Sequence, residues 1–256
     1  MLLTVVRVHC FLWPKVRTYK EMCAFAFHTI FNHPALMHKR IIMRLDTDSA
    51  LQGRLPNLFR AMPPQVAYVS NPLRDGMQDC GTTSKGLREL AEDFARRMNI
   101  TLRSPIGQGD GCVLGYYNNF EVIRLDAFRS SEVFAHFAAA VLADGGIKRH
   151  RWGDHILRRT ALTLMTSAGD RFAQVAPLHT LAPAAGYCHK CMPLGGADAA
   201  AVCRVPQNGS WNGGCTSTVA YGTFGNYRGF CQCVASALSR RGPSWWWWLL
   251  GRSQEV

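Results

Sequence analysis

Along residues 18–33, Tyr19, Met22, Cys23, Ala26, Phe27 and Ile30 recur at helical spacing, which predicts an amphipathic helix ending before Pro34. Thr18 followed by Glu21 has the form of a capping box at its start. Residues 40–46 are strongly apolar around Ile41, Ile42 and Met43, the pattern of a short strand buried on both faces, as in a mostly parallel sheet. A second strand is predicted at 66–69, just after the Pro63-Pro64 break. Helices are predicted over 84–99, through Leu87, Leu90, Ala91, Phe94 and Met98, and over 130–142, stopped by Asp144-Gly145-Gly146. Another runs from Ile156 to about Met165. The glycines of 107–111 lack the strand before and the helix after that a phosphate loop needs, so they read as a turn or a disordered loop. Short apolar strands alternating with helices define an α/β chain.

Candidate chemistry lies at the ends of these elements. A strand ending at Leu45 and opening into a turn projects Asp46 and Asp48 to the same side. Two hard carboxylates there suit Mg²⁺ or Mn²⁺, which retain coordination positions for a substrate phosphate; the same tripeptide also serves as a solvated turn. Ligands of open α/β sheets gather at that strand end. Asn118, Asn119 and Glu121 are polar groups set among aromatics, where a lone glutamate is either a paired structural carboxylate or a catalytic one. Asp154 opens the last predicted helix, a position that an N-cap carboxylate also occupies.

Composition narrows the partners. The 256 residues, 48% hydrophobic and 18% charged, suit one main core. A net charge of +12 points to an anionic partner: nucleotide, nucleic acid, phospholipid headgroup or acidic glycan. The basic residues are scattered as in Lys39-Arg40, Arg96-Arg97 and Arg240-Arg241, without a long run or a nucleic-acid module, which argues against nucleic acid. Ten cysteines and the sequons at Asn99 and Asn208 agree with an oxidising lumen. No stretch reaches the ~18–20 apolar residues that span a bilayer, and Arg7 and His9 spoil the N-terminus as a signal sequence.

From Tyr19 to Cys191 the chain resembles the fungal-type α-1,2-mannosyltransferases of glycosyltransferase family 15. Tyr19-Lys-Glu-Met-Cys-Ala-Phe is similar to the family's Tyr-x-x-Met-Cys-x-Phe helix, and His33-Pro34-Ala35-Leu36 to its His-Pro-Ala-Leu turn. Arg44-Leu-Asp-Thr-Asp48 resembles its Arg-Val-Glu-Pro-Asp metal motif. Asn119-Phe-Glu121, Leu125-Asp126-x-Phe128-Arg129-Ser130, Gly145-Gly146 and Arg151-Trp-Gly-Asp154 follow in the family's order. The resemblance implies a GT-A fold, a Rossmann-like sheet binding a sugar nucleotide, and retaining transfer of mannose from GDP-mannose to a mannosyl glycan acceptor with Mn²⁺. It implies that Asp46, Asp48 and a histidine hold the metal, with His179 the better match and His189 the rival. It sets Tyr19, Arg44 and Asn119 on the donor side, Glu121 at the anomeric carbon, and Asp154 at the acceptor hydroxyl or at the helix cap. A Golgi address and membrane association come with the family, although no anchor is legible in this chain.

The chain also departs from the family. It begins eighteen residues before Tyr19, so the expectation is a GT-A region incomplete at its N-terminus over residues 1–194. His155 and Arg158-Arg159 stand where the family is more apolar. Residues 195–256 read as a Cys-, Gly- and Ser-rich tail, irregular or disulfide-linked, with zinc as the other reading of its cysteines. The tryptophans of 245–248 read as an association liability, a carbohydrate-stacking surface or simply an unselected tail. Alternatives to the enzyme are an inactive remnant that binds glycan or nucleotide sugar in the lumen, and a GT-A enzyme using another nucleotide sugar.

Overall fold

The protein is seen in a computed structural model, which describes residues 5–6, 18–46, 49–53, 56–70, 77–183, 185–189 and 247–250. In chain order the elements are β1 (Val5–Val6), α1 (Tyr19–Phe27), β2 (Ile41–Leu45), β3 (Ser49–Gly53), α2 (Leu58–Ala61), β4 (Val66–Ser70) and β5 (Met77–Cys80). There follow α3 (Leu87–Arg97), β6 (Cys112–Gly115), β7 (Phe120–Arg124), α4 (Leu125–Arg129), α5 (Glu132–Asp144) and α6 (Gly146–His150). The series closes with α7 (Asp154–Ser167), β8 (Gln174–Pro177), α8 (Leu178–Leu181), β9 (Ala185–His189) and β10 (Trp247–Leu250). The capping box of α1 forms: Thr18 Oγ1 accepts from the Glu21 amide at 3.3 Å, and Glu21 Oε2 accepts from the Thr18 amide at 3.0 Å. The helix ends at Phe27, sooner than its apolar pattern suggests, and two 3₁₀ turns, Thr29–Asn32 and Pro34–Leu36, carry the chain to β2.

Six strands make the central sheet in the order β1-β10-β2-β7-β4-β8. The expectation of a mostly parallel surrounding for β2 is corrected: β2 is antiparallel to both β7 and β10, and the parallel pair is β4 with β8. A continuous apolar run reports burial on both faces and carries no information about the direction of its neighbours. Because β7 runs against β2 and β4, the C-terminal ends of β2, β4 and β8 and the N-terminal end of β7 share one edge.

Side chains alternate across this sheet. Ile42, Tyr68 and Ile123 face a large core closed by α1, α3, α5 and α7, with Phe27, Phe94, Phe137 and Trp152 among its members. Met43, Val69, Phe120 and Val122 face a smaller core under α2 and α8. Two ribbons flank the sheet, β3 with β9 and β5 with β6, the second clasped by a disulfide between Cys80 and Cys112. The reading of 107–111 as a turn holds, with Gly109 and Gly111 at positive φ. Of the expected tail, residues 195–246 and 251–256 lie outside the described residues, and Trp247–Leu250 pair with β2.

Candidate active site

The alternation that sends Ile42 and Ile123 into the large core also sends Arg44 and Glu121 to that face, directly opposite one another in the β2–β7 ladder. Both are buried, Glu121 to 0% exposure and Arg44 to 3%. A buried guanidinium needs carboxylates around it. Arg44 has three: Nε lies 3.3 Å from Asp46 Oδ1, and Nη1 lies 3.3 Å from Glu121 Oε1 and 2.5 Å from Asp154 Oδ2.

Asp46 follows β2 at the shared edge, where its amide continues the ladder by donating to the Asn119 carbonyl at 2.8 Å. The Asn119 side chain answers by donating Nδ2 to Asp46 Oδ2 at 2.6 Å. Asn118 donates Nδ2 to Asp154 Oδ2 at 2.7 Å, and the Cys23 thiol donates to Asp154 Oδ1 at 3.7 Å. Asp154 therefore does not act as a helix cap. The N-cap of α7 is Gly153, and no side chain caps it. The carboxylate turns inward, to the sheet, from the first turn of α7.

The environment drives the carboxyls apart. Burial pushes Asp154 up, but Arg44, with His155 and Arg158 behind it, outweighs this and holds it below the usual carboxylate range. Burial also pushes Glu121 up, and here Arg158 and Arg44 do not fully offset it. The Tyr68 hydroxyl, on β4 beside Glu121, is raised by the same burial and by that carboxylate. The Cys23 thiol is pushed up to about 12 by burial and by Asp154, so it stays protonated. Arg44 remains a cation, since Asp154, Asp46 and Glu121 outweigh its own desolvation.

Tyr19 opens α1 at the rim of this cluster and is 43% exposed. The Arg151 guanidinium covers its ring at 4.4 Å. Arg151 takes a left-handed backbone, φ 64°, between α6 and α7. The structure thus brings together Tyr19, Arg44, Asp46, Asn119, Glu121 and Asp154. Asp48 lies outside the described residues.

His179 is exposed on α8, beyond β8. It shares the strand edge with Asp46, but β8 stands three strand steps from β2, about 14 Å at ~4.8 Å a step. His189 is in β9, where the register sets it opposite Ser49, the residue that follows Asp48. Among the described residues no three His, Cys, Asp or Glu side chains form a group that would hold a metal.

Sequence reasoning gave no site role to Arg158 or Tyr68. Arg158 had a signal: it lies four residues past Asp154, hence on the same helix face. Tyr68 had none, since nothing in an apolar strand says that its hydroxyl meets a glutamate across the next ladder.

A mixed sheet with helices packed on it and a carboxylate at the edge after its second strand is the GT-A glycosyltransferase fold. Core-mannan synthase A (CmsA/Ktr4) of Aspergillus fumigatus, solved in an Mn/GDP form, superposes with a TM-score of 0.55. It is 20% identical over 68% of this chain and 48% of its own. The Saccharomyces cerevisiae mannosyltransferase Ktr4p in complex with GDP gives a TM-score of 0.54 at 20% identity, over 69% of this chain and 46% of its own. By sequence, the probable mannosyltransferase KTR4 of S. cerevisiae is 24% identical over 168 residues, 59% of this chain and 36% of that protein. No family model matches the chain. The chain is similar in sequence and in fold to these Ktr4 mannosyltransferases, and it spans half or less of their length.

Proposed function

We propose that this chain is a metal-dependent, retaining α-1,2-mannosyltransferase that moves mannose from GDP-mannose to a mannosyl glycan acceptor. The observation that carries this reading is the cluster at the sheet edge: Arg44 gripping Asp46, Glu121 and Asp154 beside Asn118 and Asn119. In the transfer, the bond from the anomeric carbon to the diphosphate oxygen breaks and its electron pair leaves with GDP. A bond to the acceptor hydroxyl oxygen forms, and the proton of that hydroxyl passes to the departing diphosphate oxygen. Glu121 stabilises the positive charge that develops at the anomeric carbon, as nucleophile or as counter-charge. Tyr19 at the rim contacts the donor diphosphate, while Asp154 holds Arg44 and Asn118 in place.

The donor chemistry at the edge fits a hard divalent cation. Asp46 is a carboxylate oriented from both sides, by Arg44 and by Asn119. Asp46, Asp48 and a histidine would hold Mn²⁺, and the β3–β9 register favours His189 over His179 for the third position. When bound, the cation supplies Lewis-acid neutralisation of the departing diphosphate.

The test is GDP-mannose turnover by the full chain with Mn²⁺ and an α-mannoside acceptor. Asp46→Ala is expected to lower turnover by roughly a hundredfold or more, the scale of a lost metal contribution. Turnover unchanged by that substitution would remove the metal assignment, and turnover with UDP-sugars in place of GDP-mannose would remove the donor. GDP binding without transfer would favour a lumenal binding protein. We place the chain in the Golgi lumen; the Cys80–Cys112 disulfide supports an oxidising compartment. Among the described residues no helix is long and apolar enough to cross a membrane.

A further inference from the structure

Arg158 lies in the middle of α7 at 1% exposure, and a lone buried cation is destabilising by several kcal/mol unless something answers its charge. Its Nη2 donates to the Ala26 carbonyl at 2.5 Å. Its guanidinium carbon sits 4.9 Å from the Phe31 ring centroid and 5.3 Å from that of Phe128. These three contacts fix the group from behind and present Nε to Glu121, whose Oε2 is 3.7 Å away. Nε and Nη1 of Arg158 and Oε2 of Glu121 make no hydrogen bond, so the two groups meet as charges across a short gap.

The charges around Glu121 show why a second cation is needed. Arg44 approaches from β2 but is shared with Asp46 and Asp154. Tyr68 from β4 is neutral, and Asp154 from α7 repels an ionised glutamate. Arg44 is thus shared among three buried carboxylates, and Arg158 is a second cation in contact with Glu121.

We propose that Arg158 is a positioning residue, a guanidinium mounted behind Glu121 that keeps its carboxylate ionised and its orientation fixed for the transfer reaction. The inference rests on the reading of Glu121 as the carboxylate at the anomeric carbon. It adds a role for a position where this chain departs from its family.

The experiment uses the full chain labelled with ¹³C at glutamate carboxyls, with the infrared signal of Glu121 isolated by subtraction of Glu121→Gln. At neutral pH the unsubstituted chain is expected to show an ionised carboxylate. Arg158→Met is expected to convert it to the protonated acid, and Arg158→Lys to leave it ionised. In GDP-mannose turnover, Arg158→Met is expected to lower kcat roughly ten- to hundredfold, one to two pKa units' worth, with KM for donor little changed. Arg158→Lys is expected to recover most of that loss. A Glu121 that stays ionised in Arg158→Met, or is already protonated in the unsubstituted chain, overturns the proposal. If Arg158→Met does not fold, adding Glu121→Gln is expected to restore folding, because the carboxylate that required the cation is gone. Continued failure to fold would assign Arg158 to helix packing and overturn the proposal as well. Absence of turnover in the unsubstituted chain counts against the mannosyltransferase reading alone, since the infrared result decides Arg158 independently.

Discussion

At the scale of single residues, Arg44 is the centre of the site, because three buried carboxylates share it. Arg44→Met removes the cation they share in a buried space and is expected to lower stability by about 3–5 kcal/mol, read from urea denaturation. Asp154 and Glu121 respond to pH with opposite sign. Asp154 is depressed in the folded chain, so its stabilisation is full above its unfolded pKa of ~3.9 and is lost as pH falls through the folded value. Glu121 is raised, so its contribution is present below its unfolded pKa of ~4.3 and is lost as pH rises through the folded value. Asp154→Asn is therefore expected to flatten the acid limb of the stability profile. Glu121→Gln is expected to leave that limb in place and to reduce the fall on the neutral side. Coincident acid limbs for Asp154→Asn and the unsubstituted chain would refute the assignment.

Two elements outside the sheet hold α7 in the place from which Asp154 and Arg158 act. The turn before it is locked by Trp152, whose ring lies against Gly146 and whose Nε1 donates to the Lys85 carbonyl at 2.9 Å. A Cβ on Gly146 would lie 2.4 Å from that ring, so Gly146→Ala must displace Trp152. We expect a loss of about 1–3 kcal/mol, the usual scale of overpacking, with a matching change in tryptophan fluorescence. The β5–β6 ribbon packs against α7 through β6, and Asp79 from β5 reaches His155 Nε2 at 3.2 Å. Its disulfide closes a loop between positions 32 apart in sequence. Cys80→Ser with Cys112→Ser is expected to destabilise the chain by about 3–4 kcal/mol from loop entropy, measured by chemical denaturation under oxidising conditions.

For the whole molecule, a GT-A sheet concentrates its chemistry on one edge, and the +12 charge of the chain suits the anionic nucleotide of the proposed donor. The lumenal reading carries its own test. Asn99 of the Asn99-Ile-Thr101 sequon is exposed just beyond α3, at φ 53°. Expressed through a secretory pathway, the chain is expected to carry an N-glycan there, seen as a mass shift that Asn99→Gln removes.

Much of this was legible from local pattern. The strand before Asp46, the capping box at Thr18 and the helices carrying Phe94, Phe137 and Asp154 follow from periodicity and end signals, which are short-range properties of the chain. The ordered motifs from Tyr19 to Asp154 also carried the family resemblance. Tertiary structure decided what local pattern does not encode. It set β7 antiparallel between β2 and β4, turned Asp154 inward from a cap position, placed Arg158 behind Glu121, and set His189 rather than His179 across from the residue after Asp48. Strand direction and charge pairing depend on which distant segments share a ladder or a helix face. The amino-acid sequence alone settled where the ionisable residues stand along the chain and marked the strand before Asp46 and the longer helices. Only the packed sheet decided which of those charges meet, because a buried ion is tolerated only where the fold brings its partners to it.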